Sequence, residues 1–317
     1  MMKKSLLPLL IAIAALVCLP LFIHNPYYIH LVETILIYTI LLYGLDIVVG
    51  YVGQVSLGHA ALFGIGSYTA GVLYFHFGWT IWGTLPASII VTSIFGGILA
   101  LPALKVIGPY LAMVTLAFGT IAQILINEMT WMTEGPLGIK IPKPELMGVP
   151  MTKAEYFWMV SAILILSMIV VDRFVKSQIG RAFEALRDSP IACDCMGVSV
   201  YRFKVIAFVI SAAFAGLAGC LYAYSEQYIS PNTYNNELAV LFLLGIIMGG
   251  RKSRLGALLG AAIIVLLPKL LDDIFLFRIV ASIIAIVVLA GAGLALSKKL
   301  TTPRRVAIPI AGVVGLA

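Results

Sequence analysis

Two carboxylates, Glu33 and Asp46, interrupt an apolar stretch that predicts a membrane-spanning helix over about residues 31–50. An unpaired charge within a bilayer is costly and often functional, so these side chains are candidates for proton coupling in transport. Alternatively, Glu33 lies at the outer interface of the membrane and Asp46 at the inner one, which is the interpretation we favour. Their chemistry therefore depends on where this helix begins and ends.

A second polar group follows in the glycine-rich stretch 50–71, close to a predicted helix break at 51–57. Broken backbone at membrane depth is tolerated where it lines a cavity, which would make these polar residues part of a translocation path. The alternative is that this stretch serves close helix packing, for which its glycines are suited. The candidate path residues, including two from a predicted span over 110–127, are Gln54, Ser56, His59, Thr115 and Asn127.

The other reactive side chains predict no catalytic or cofactor site. Residues 245–253, GIIMGGRKS, nearly match a phosphate-binding loop, but Arg251 stands where lysine belongs, and the stretch follows an apolar helix rather than a strand. Cys193 and Cys195 form a lone pair without a nearby histidine, and no nucleophile has an evident base. We therefore expect no catalysis, no metal and no cofactor on this chain.

The elements that position these residues are membrane helices. Of the 317 residues, 62% are hydrophobic and 11% charged, whereas soluble domains carry about 25% charged residues. The apolar runs predict an all-α polytopic membrane protein of about ten transmembrane helices, starting with a retained span over 5–23 and ending with one over 279–297. Prolines and glycines between 128 and 155 predict a loop outside the membrane.

The basic residues predict the orientation of this layout. Most of the 21 lysine and arginine residues share one side with both termini and with a charged segment at about 173–204. The positive-inside rule places that side in the cytoplasm. The short apolar runs 238–250 and 255–268 are predicted to cross fully, because a re-entrant hairpin would hold three charges at membrane depth, those of Arg251, Lys252 and Arg254.

The longest markedly charged segment, 178–204, predicts a short cytoplasmic helix. Asp188 and Ser189 can cap its start, Pro190 suits its first turn, and Gly197 can supply a left-handed stop. Apolar residues lie on one side of this helix and charged residues along its flanks. Such a helix meets either the membrane surface or a groove in a partner protein.

Three blocks of sequence resemble the M-type subunit of the branched-chain amino acid permease family of ABC transporters. They are GYVGQVSLGHAALFGIGSYTAG at 50–71, YLAMVTLAFGTIAQILIN at 110–127 with EGPLGIKIPKP after it, and the run from GRAFEALRDSPIACDCMGV to LYAYSEQYISP at 180–231. The resemblance covers about residues 30–270. It implies one permease domain over 1–317 in a bacterial inner membrane, with both termini cytoplasmic and a periplasmic loop at about 128–155.

The resemblance also implies partners and a transport function. The expected partners are a second, H-type permease, two cytoplasmic ATPase subunits and a periplasmic binding protein, and the cargo is a branched-chain or related hydrophobic amino acid. Residues 192–197 stand in the place of the family's E-A-A-x-x-x-G pattern, which implies that the short helix enters an ATPase groove. The coupling residues expected on this basis are Arg181, Glu184, Arg187, Asp188, Ser189, Pro190, Ala192 and Gly197.

The sequence departs from the family pattern at three places. A basic turn at 251–254 replaces a Gly-Ser-rich one, an asparagine often found near Asp46 is missing, and the ending lacks an apolar-Pro-Arg-Gly motif. These departures leave the geometry of the last spans and the substrate open. The alternative function is a stand-alone proton- or sodium-coupled carrier of small solutes that uses Glu33 or Asp46.

Overall fold

The computed structural model describes residues 25–103, 106, 108–146 and 149–272. The predicted first and last spans, 5–23 and 279–297, lie outside these residues. A compact unit ends at Val265, and of the following unit the described residues 266–272 form the last turns of a helix.

Six helices among the described residues are long and apolar enough to cross a membrane. They confirm an all-α polytopic membrane protein, while the total of about ten spans stays a prediction. Their bounds are α1 Pro26–Asp46, which continues as a π-helix over Ile47–Tyr51, α2 His59–Phe77, α3 Ile81–Ala103, α4 Pro109–Glu128, α6 Lys153–Val175 and α9 Val200–Glu226.

Shorter elements connect these helices. The remaining helices are α5 Thr130–Thr133, α7 Gln178–Asp188, α8 Pro190–Cys195, α10 Asn236–Gly249 and α11 Arg254–Asp272, with 3-10 turns at Gly135–Leu137 and Pro231–Thr233. The strands have two residues each: β1 Ile139–Lys140, β2 Glu145–Leu146, β3 Val149–Pro150 and β4 Tyr228–Ile229. The predicted 128–155 loop therefore contains short regular pieces as well as turns.

Helix α9 lies at the centre of the bundle because small residues let its neighbours approach closely. A Cβ placed on Gly66 of α2 would lie 2.6 Å from the Cα of Gly216, and a Cβ on Gly96 of α3 would overlap Ala212. Close backbone approach through small residues is the usual way that helices associate in membranes. The glycine-rich sequence thus serves packing, as one of the two interpretations predicted.

The two ends of the bundle can be told apart by their connections. At one end, β1 pairs with β4 in antiparallel register, with Ile139 opposite Ile229. We call this the β1–β4 end. The other end holds α7, α8 and the turn at 250–253, and we call it the α7 end.

Helix α10 begins inside the bundle rather than at its surface. Tyr234, just before α10, is buried and packs with its ring against Gly64 of α2 and 5.7 Å from the ring of Phe63. Gln123 of α4 donates to the carbonyl of Pro231, 3.4 Å away. The fourteen residues of α10 extend about 21 Å, short of the roughly 30 Å of a bilayer core.

Helix α10 therefore does not make the predicted crossing at 238–250 by itself. Residues 228–235 enter the bundle as a strand and a 3-10 turn, and α10 continues from there to the α7 end. There the turn at 250–253 lies against Asp46. Non-helical backbone at this depth is tolerated because the surrounding helices bury it.

Candidate functional site

The charged segment forms two helices instead of the single one expected. Ser189 lies between them and caps α8, since its Oγ accepts a hydrogen bond from the backbone N–H of Ala192 at 3.3 Å. Pro190 occupies the first turn, and Gly197 has a φ of +77°, so the cap, the proline and the left-handed stop are confirmed. Asp188 differs from the prediction: it ends α7 and does not cap α8.

Helix α7 turns its apolar face into the chain's own bundle. Gly180, Phe183 and Leu186 are buried at three-residue spacing, and the Phe183 ring lies 5.7 Å from that of Phe174 and 6.3 Å from that of Phe203. Aromatic pairs at such distances stabilise the packing of a helix against its neighbours. Helix α7 is thus packed between α6 and α9 rather than free to lie on a lipid surface.

Helix α8 exposes the apolar side chains that α7 does not. Ile191 is 80% exposed and Met196 84%, while Cys193 is buried and Cys195 is exposed. Of the predicted apolar side, Ile191 and Cys195 face outward, whereas Val198 is partly buried. Ile191 and Met196 are thus accessible to a partner protein or to the membrane surface.

Arg187 reaches from α7 to the π-helix that follows α1. Its Nη1 donates a hydrogen bond to the carbonyl of Gly50, 3.2 Å away. A Cβ on Gly53, whose φ is +76°, would lie 2.9 Å from the Cγ of Arg187. Arg187 is thus in contact with the loop that precedes α2.

The turn at 250–253 and Arg254, the first residue of α11, contact three other helices at the α7 end. The backbone N–H of Lys252 donates to both carboxylate oxygens of Asp46 at 3.1 Å, and its ammonium group lies 2.8 Å from Glu184 of α7. Arg254 forms an ion pair with Asp172 of α6. Asp46 therefore lies at a helix end with hydrogen-bond donors, the position that the interface interpretation predicts.

A buried chain of hydrogen bonds contains two of the candidate path residues. Ser211 donates to the carbonyl of Gly44 at 2.7 Å, so its oxygen accepts from Nε2–H of His59 at 2.6 Å. Nδ1 of the neutral ring then accepts from Ser56 at 3.0 Å. These groups are fully buried and join α1, α2 and α9.

Thr115 and Gln54 belong to the same region, whereas Asn127 does not. Thr115 Oγ1 accepts a hydrogen bond from the backbone N–H of Leu57 at 2.9 Å, which holds the loop at 52–58 against α4. Oε1 of Gln54 is buried and has no hydrogen-bond partner among the described residues. Asn127 lies at the far end of α4 and donates to the carbonyl of Gln123 at 3.1 Å.

A cleft of about 560 Å³ lies between this loop and helices α7 and α8. It is bounded by the loop residues 52–55, the start of α4, and Leu186, Arg187 and Pro190. Gln54 therefore faces the same cleft as α7 and α8. Within the described ranges, no three metal-ligating side chains come together.

Sequence reasoning missed two of the groups that organise this site. Ser211 and Gly44 carry no sequence signal for their hydrogen bond, because they are 167 residues apart. Lys252 departs from the family pattern in the sequence, but the sequence does not show its contacts with Asp46 and Glu184. These contacts depend on the folded positions of three separate helices. Local spacing cannot reveal such pairs.

Comparison with known proteins gives the family. A family model described as "Branched-chain amino acid transport system / permease component" matches residues 27–293. The chain belongs to this family. It is 36% identical over 263 residues to the high-affinity branched-chain amino acid transport system permease protein LivM of Escherichia coli and of Salmonella typhimurium, covering 75% of this chain and 62% of each relative.

A more distant relative is a different permease of the same kind of system. The permease protein LivH of Escherichia coli is 22% identical over 247 residues, or 72% of this chain and 79% of that protein. No solved structure shows significant similarity to the chain. The chain spans about 62% of the length of the LivM relatives it matches.

Proposed function

We propose that this chain is a membrane permease subunit of an ATP-binding-cassette importer for branched-chain or related hydrophobic amino acids. The observation that carries the proposal is the pair of helices at the α7 end. Helix α8 exposes Ile191 and Met196, and α7 beside it contacts the π-helix through Arg187. Membership in the permease family and the printed function of the LivM and LivH relatives support the same assignment.

In this proposal the chain works with separate subunits in a bacterial inner membrane. Two cytoplasmic ATPases hydrolyse ATP, an H-type permease completes the membrane path, and a periplasmic binding protein delivers the amino acid. The α7 end faces the cytoplasm together with both termini, in agreement with its basic residues. The described residues form no phosphate-binding loop at 245–253, since α10 ends in a short turn that leads into α11.

A conformational change in the ATPases would reach the translocation path through contacts between packed helices. An ATPase groove that closes on α8 would displace α7, which is short and packed by Phe183. Through Arg187 the displacement would reach the π-helix and the loop at 52–58, where Ser56 and His59 anchor the start of α2. π-helical turns are common at functional sites, and a loop between two helices can change shape more easily than either helix.

The test is uptake by proteoliposomes that contain the chain together with its co-expressed neighbours. We expect uptake of labelled leucine to require the binding protein and ATP on the ATPase side, and to continue when proton and sodium gradients are collapsed. An ATPase subunit whose phosphate-loop lysine is replaced should stop uptake. Transport that needs an ion gradient and proceeds without the ATPases would instead establish the secondary carrier, whose structural support is the buried carboxyl group of Glu33.

A further inference from the structure

A small cavity at the β1–β4 end lies far from the coupling helices and has no assigned role. Its volume is about 100 Å³, and it opens between the start of α1, the start of α6 and the end of α9. The polar side chains that line it include His30, Glu33, Lys143, Thr152, Lys153 and Ser225. We call it the Glu33 cavity.

Glu33 is the most unusual group in this cavity. It is 5% exposed, and its Oε1 atom has no hydrogen-bond partner among the described residues. A buried carboxylate oxygen without a donor is unfavourable, and such atoms are rare in folded proteins unless a ligand or ion supplies the donor. Glu33 also lines the cavity, so its carboxyl group borders space that a ligand could occupy.

The charges around the cavity select the kind of molecule that fits. Lys143 and Lys153 line it and are exposed, while Glu33 is buried. His30 and Glu226, 3.3 Å apart, lie next to Glu33 and largely offset each other when His30 is protonated. A simple anion would be repelled by Glu33 and a simple cation by the two lysines, so a molecule that carries both charges fits best.

The size of the cavity limits how much of such a molecule it encloses. A volume of about 100 Å³ equals roughly three water molecules at about 30 Å³ each. This accommodates an ammonium group, one carbon and a carboxylate, but not a large side chain as well. An aliphatic side chain would extend along the apolar lining residues, such as Ile29, Pro144 and Met151.

We propose that the Glu33 cavity binds the charged head of an α-amino acid. The ammonium group lies against the carboxyl group of Glu33, and the carboxylate lies toward Lys143 and Lys153. The cavity is thus a binding site at the β1–β4 end, separate from the loop at 52–58. The inference rests on the proposed function only in the choice of leucine as the probe.

The experiment measures equilibrium binding to the membrane complex, purified with its co-expressed subunits and without the soluble binding protein. Labelled leucine is compared with leucinamide, which lacks the carboxylate, and with 4-methylpentanoate, which lacks the ammonium group. We expect leucine to bind with a Kd of about 1 mM or tighter, and each analogue to bind at least about tenfold more weakly. Failure of the unmodified complex to bind leucine in this range overturns the proposal.

Two substitutions identify the site of binding. Glu33→Gln removes the ammonium partner and should weaken leucine at least about tenfold, since hydrogen bonds to charged groups are the stronger ones. The matched control is Glu145→Gln, an exposed residue in the same part of the chain that does not line the cavity. Equal binding by Glu33→Gln and by the control would place the leucine site elsewhere and overturn the proposal.

A surface variant covers the case in which Glu33→Gln does not fold. Lys143 is exposed, so Lys143→Glu should leave the fold intact while reversing the charge at the rim. We expect leucine to bind more weakly and leucinamide to bind more strongly, a reversal that a purely structural effect does not produce. Unchanged preference between leucine and leucinamide contradicts the assignment.

The outcome can be separated from that of the proposed function. If uptake requires ATP but leucine binding does not respond to Glu33→Gln or Lys143→Glu, the cavity is not a ligand site and the importer assignment stands. If uptake never requires ATP while both variants alter leucine binding as expected, the importer assignment fails and the cavity remains an amino-acid site.

Discussion

Arg187, next to last in α7, donates a hydrogen bond to the carbonyl oxygen of Gly50 across 3.2 Å, although the two residues are 137 positions apart. Gly50 lies in the π-helix, so this bond joins the proposed coupling helices directly to the segment that precedes α2. Family resemblance placed Arg187 on the surface for the ATPase. Its guanidinium group also bonds to the π-helix of the same chain, which changes what its substitution should do.

Arg187→Ala should uncouple ATP hydrolysis from transport. A hydrogen bond from a charged donor contributes about 1.5–3 kcal/mol when buried and less here, because Arg187 is exposed. Its loss would weaken the attachment of the π-helix to α7. We expect leucine uptake to fall at least about tenfold while the ATPase subunits still co-purify. Arg181→Ala is the control, since Arg181 is exposed and bonds only within its own segment, to the carbonyl of Lys176. Loss of the ATPases from the Arg187 variant would show that this residue contacts them instead.

Gly53→Ala should destabilise the loop at 52–58 beyond the ordinary cost of a left-handed residue. A Cβ at Gly53 would lie 2.9 Å from the Cγ of Arg187, and its φ of +76° already disfavours a side chain. Gly78→Ala is the matched control, because its φ is +65° and nothing lies within 4 Å of an added Cβ. We expect the control to lower stability by about 1 kcal/mol in thermal unfolding.

The Gly53 variant should unfold at a lower temperature than the Gly78 variant and transport more slowly. Arg187 has a flexible side chain, so part of the clash can be relieved by breaking its bond to Gly50, which would reduce coupling. Equal unfolding temperatures and equal uptake for the two variants would show that the contact between Gly53 and Arg187 has no consequence.

The local features of the coupling segment were predictable, and the contacts between segments were not. Ser189, Pro190 and Gly197 act within one short helix, so their residue types alone indicate where it starts and stops. The sequence predicts that the run 238–250 crosses the membrane by itself, because hydropathy does not reveal that Tyr234 enters the bundle. Burial of Tyr234 depends on the space beside Gly64, which is set by packing of separate helices.

The polar cluster near the helix break was predictable in part for the same reason. Ser56 and His59 are three residues apart, and their hydrogen bond follows from that spacing at a helix start. Asn127 shares α4 with Thr115, but twelve residues of helix separate them by about 18 Å, so Asn127 lies outside the hydrogen-bonded cluster around His59. The sequence identifies polar groups near a helix break but not the partners that other helices supply.

The ion pair between Glu184 and Lys252 should contribute modestly to stability. Its two charged atoms are 2.8 Å apart, but both side chains are partly exposed, so water and salt weaken their attraction. A double-mutant cycle with Glu184→Gln and Lys252→Met should give a coupling energy of about 0.2–1 kcal/mol from thermal unfolding, smaller at high salt. The backbone bond from Lys252 to Asp46 persists in the Met variant, which isolates the side-chain interaction.

A charge exchange provides the control for this pair. Glu184→Lys combined with Lys252→Glu should recover most of the stability lost in either single reversal, because the attraction is restored with the charges exchanged. A double variant no more stable than the single ones would indicate that Lys252 stabilises the fold through Tyr51 instead. The ring of Tyr51 lies 5.4 Å from the Lys252 ammonium group.

Ser211→Ala should be costly, because it leaves a buried donor without a partner. Nε2–H of His59 loses its acceptor, while the carbonyl of Gly44 loses one donor and keeps the backbone N–H of Ile47. An unsatisfied buried polar group costs about 1–3 kcal/mol, so we expect a clear fall in the unfolding temperature. Ser161→Ala is the control, since this buried serine bonds only to the carbonyl of Phe157 one turn earlier in its own helix. An equal loss in both variants would argue that the chain of hydrogen bonds through His59 adds nothing.

Gly197 tests the coupling surface through the backbone alone. Its φ is +77°, the N–H of the following Val198 bonds to the carbonyl of Cys193 at 2.9 Å, and no atom lies within 4 Å of an added Cβ. Within the described part of this chain, a side chain at this position therefore acts through the left-handed conformation, and its other route of action is contact with a partner subunit. A β-branched residue tolerates that conformation least, whereas asparagine adopts it readily.

We expect Gly197→Val to shift the end of α8 and with it the exposed Met196. The chain should still insert in the membrane, but co-purification of the ATPase subunits and leucine uptake should both decrease, while Gly197→Asn retains most of each. A Val variant with normal uptake would show that α8 does not need its left-handed stop. If Val and Asn impair uptake equally, the defect follows from the added side chain at the interface rather than from the backbone, because only the backbone cost differs between them.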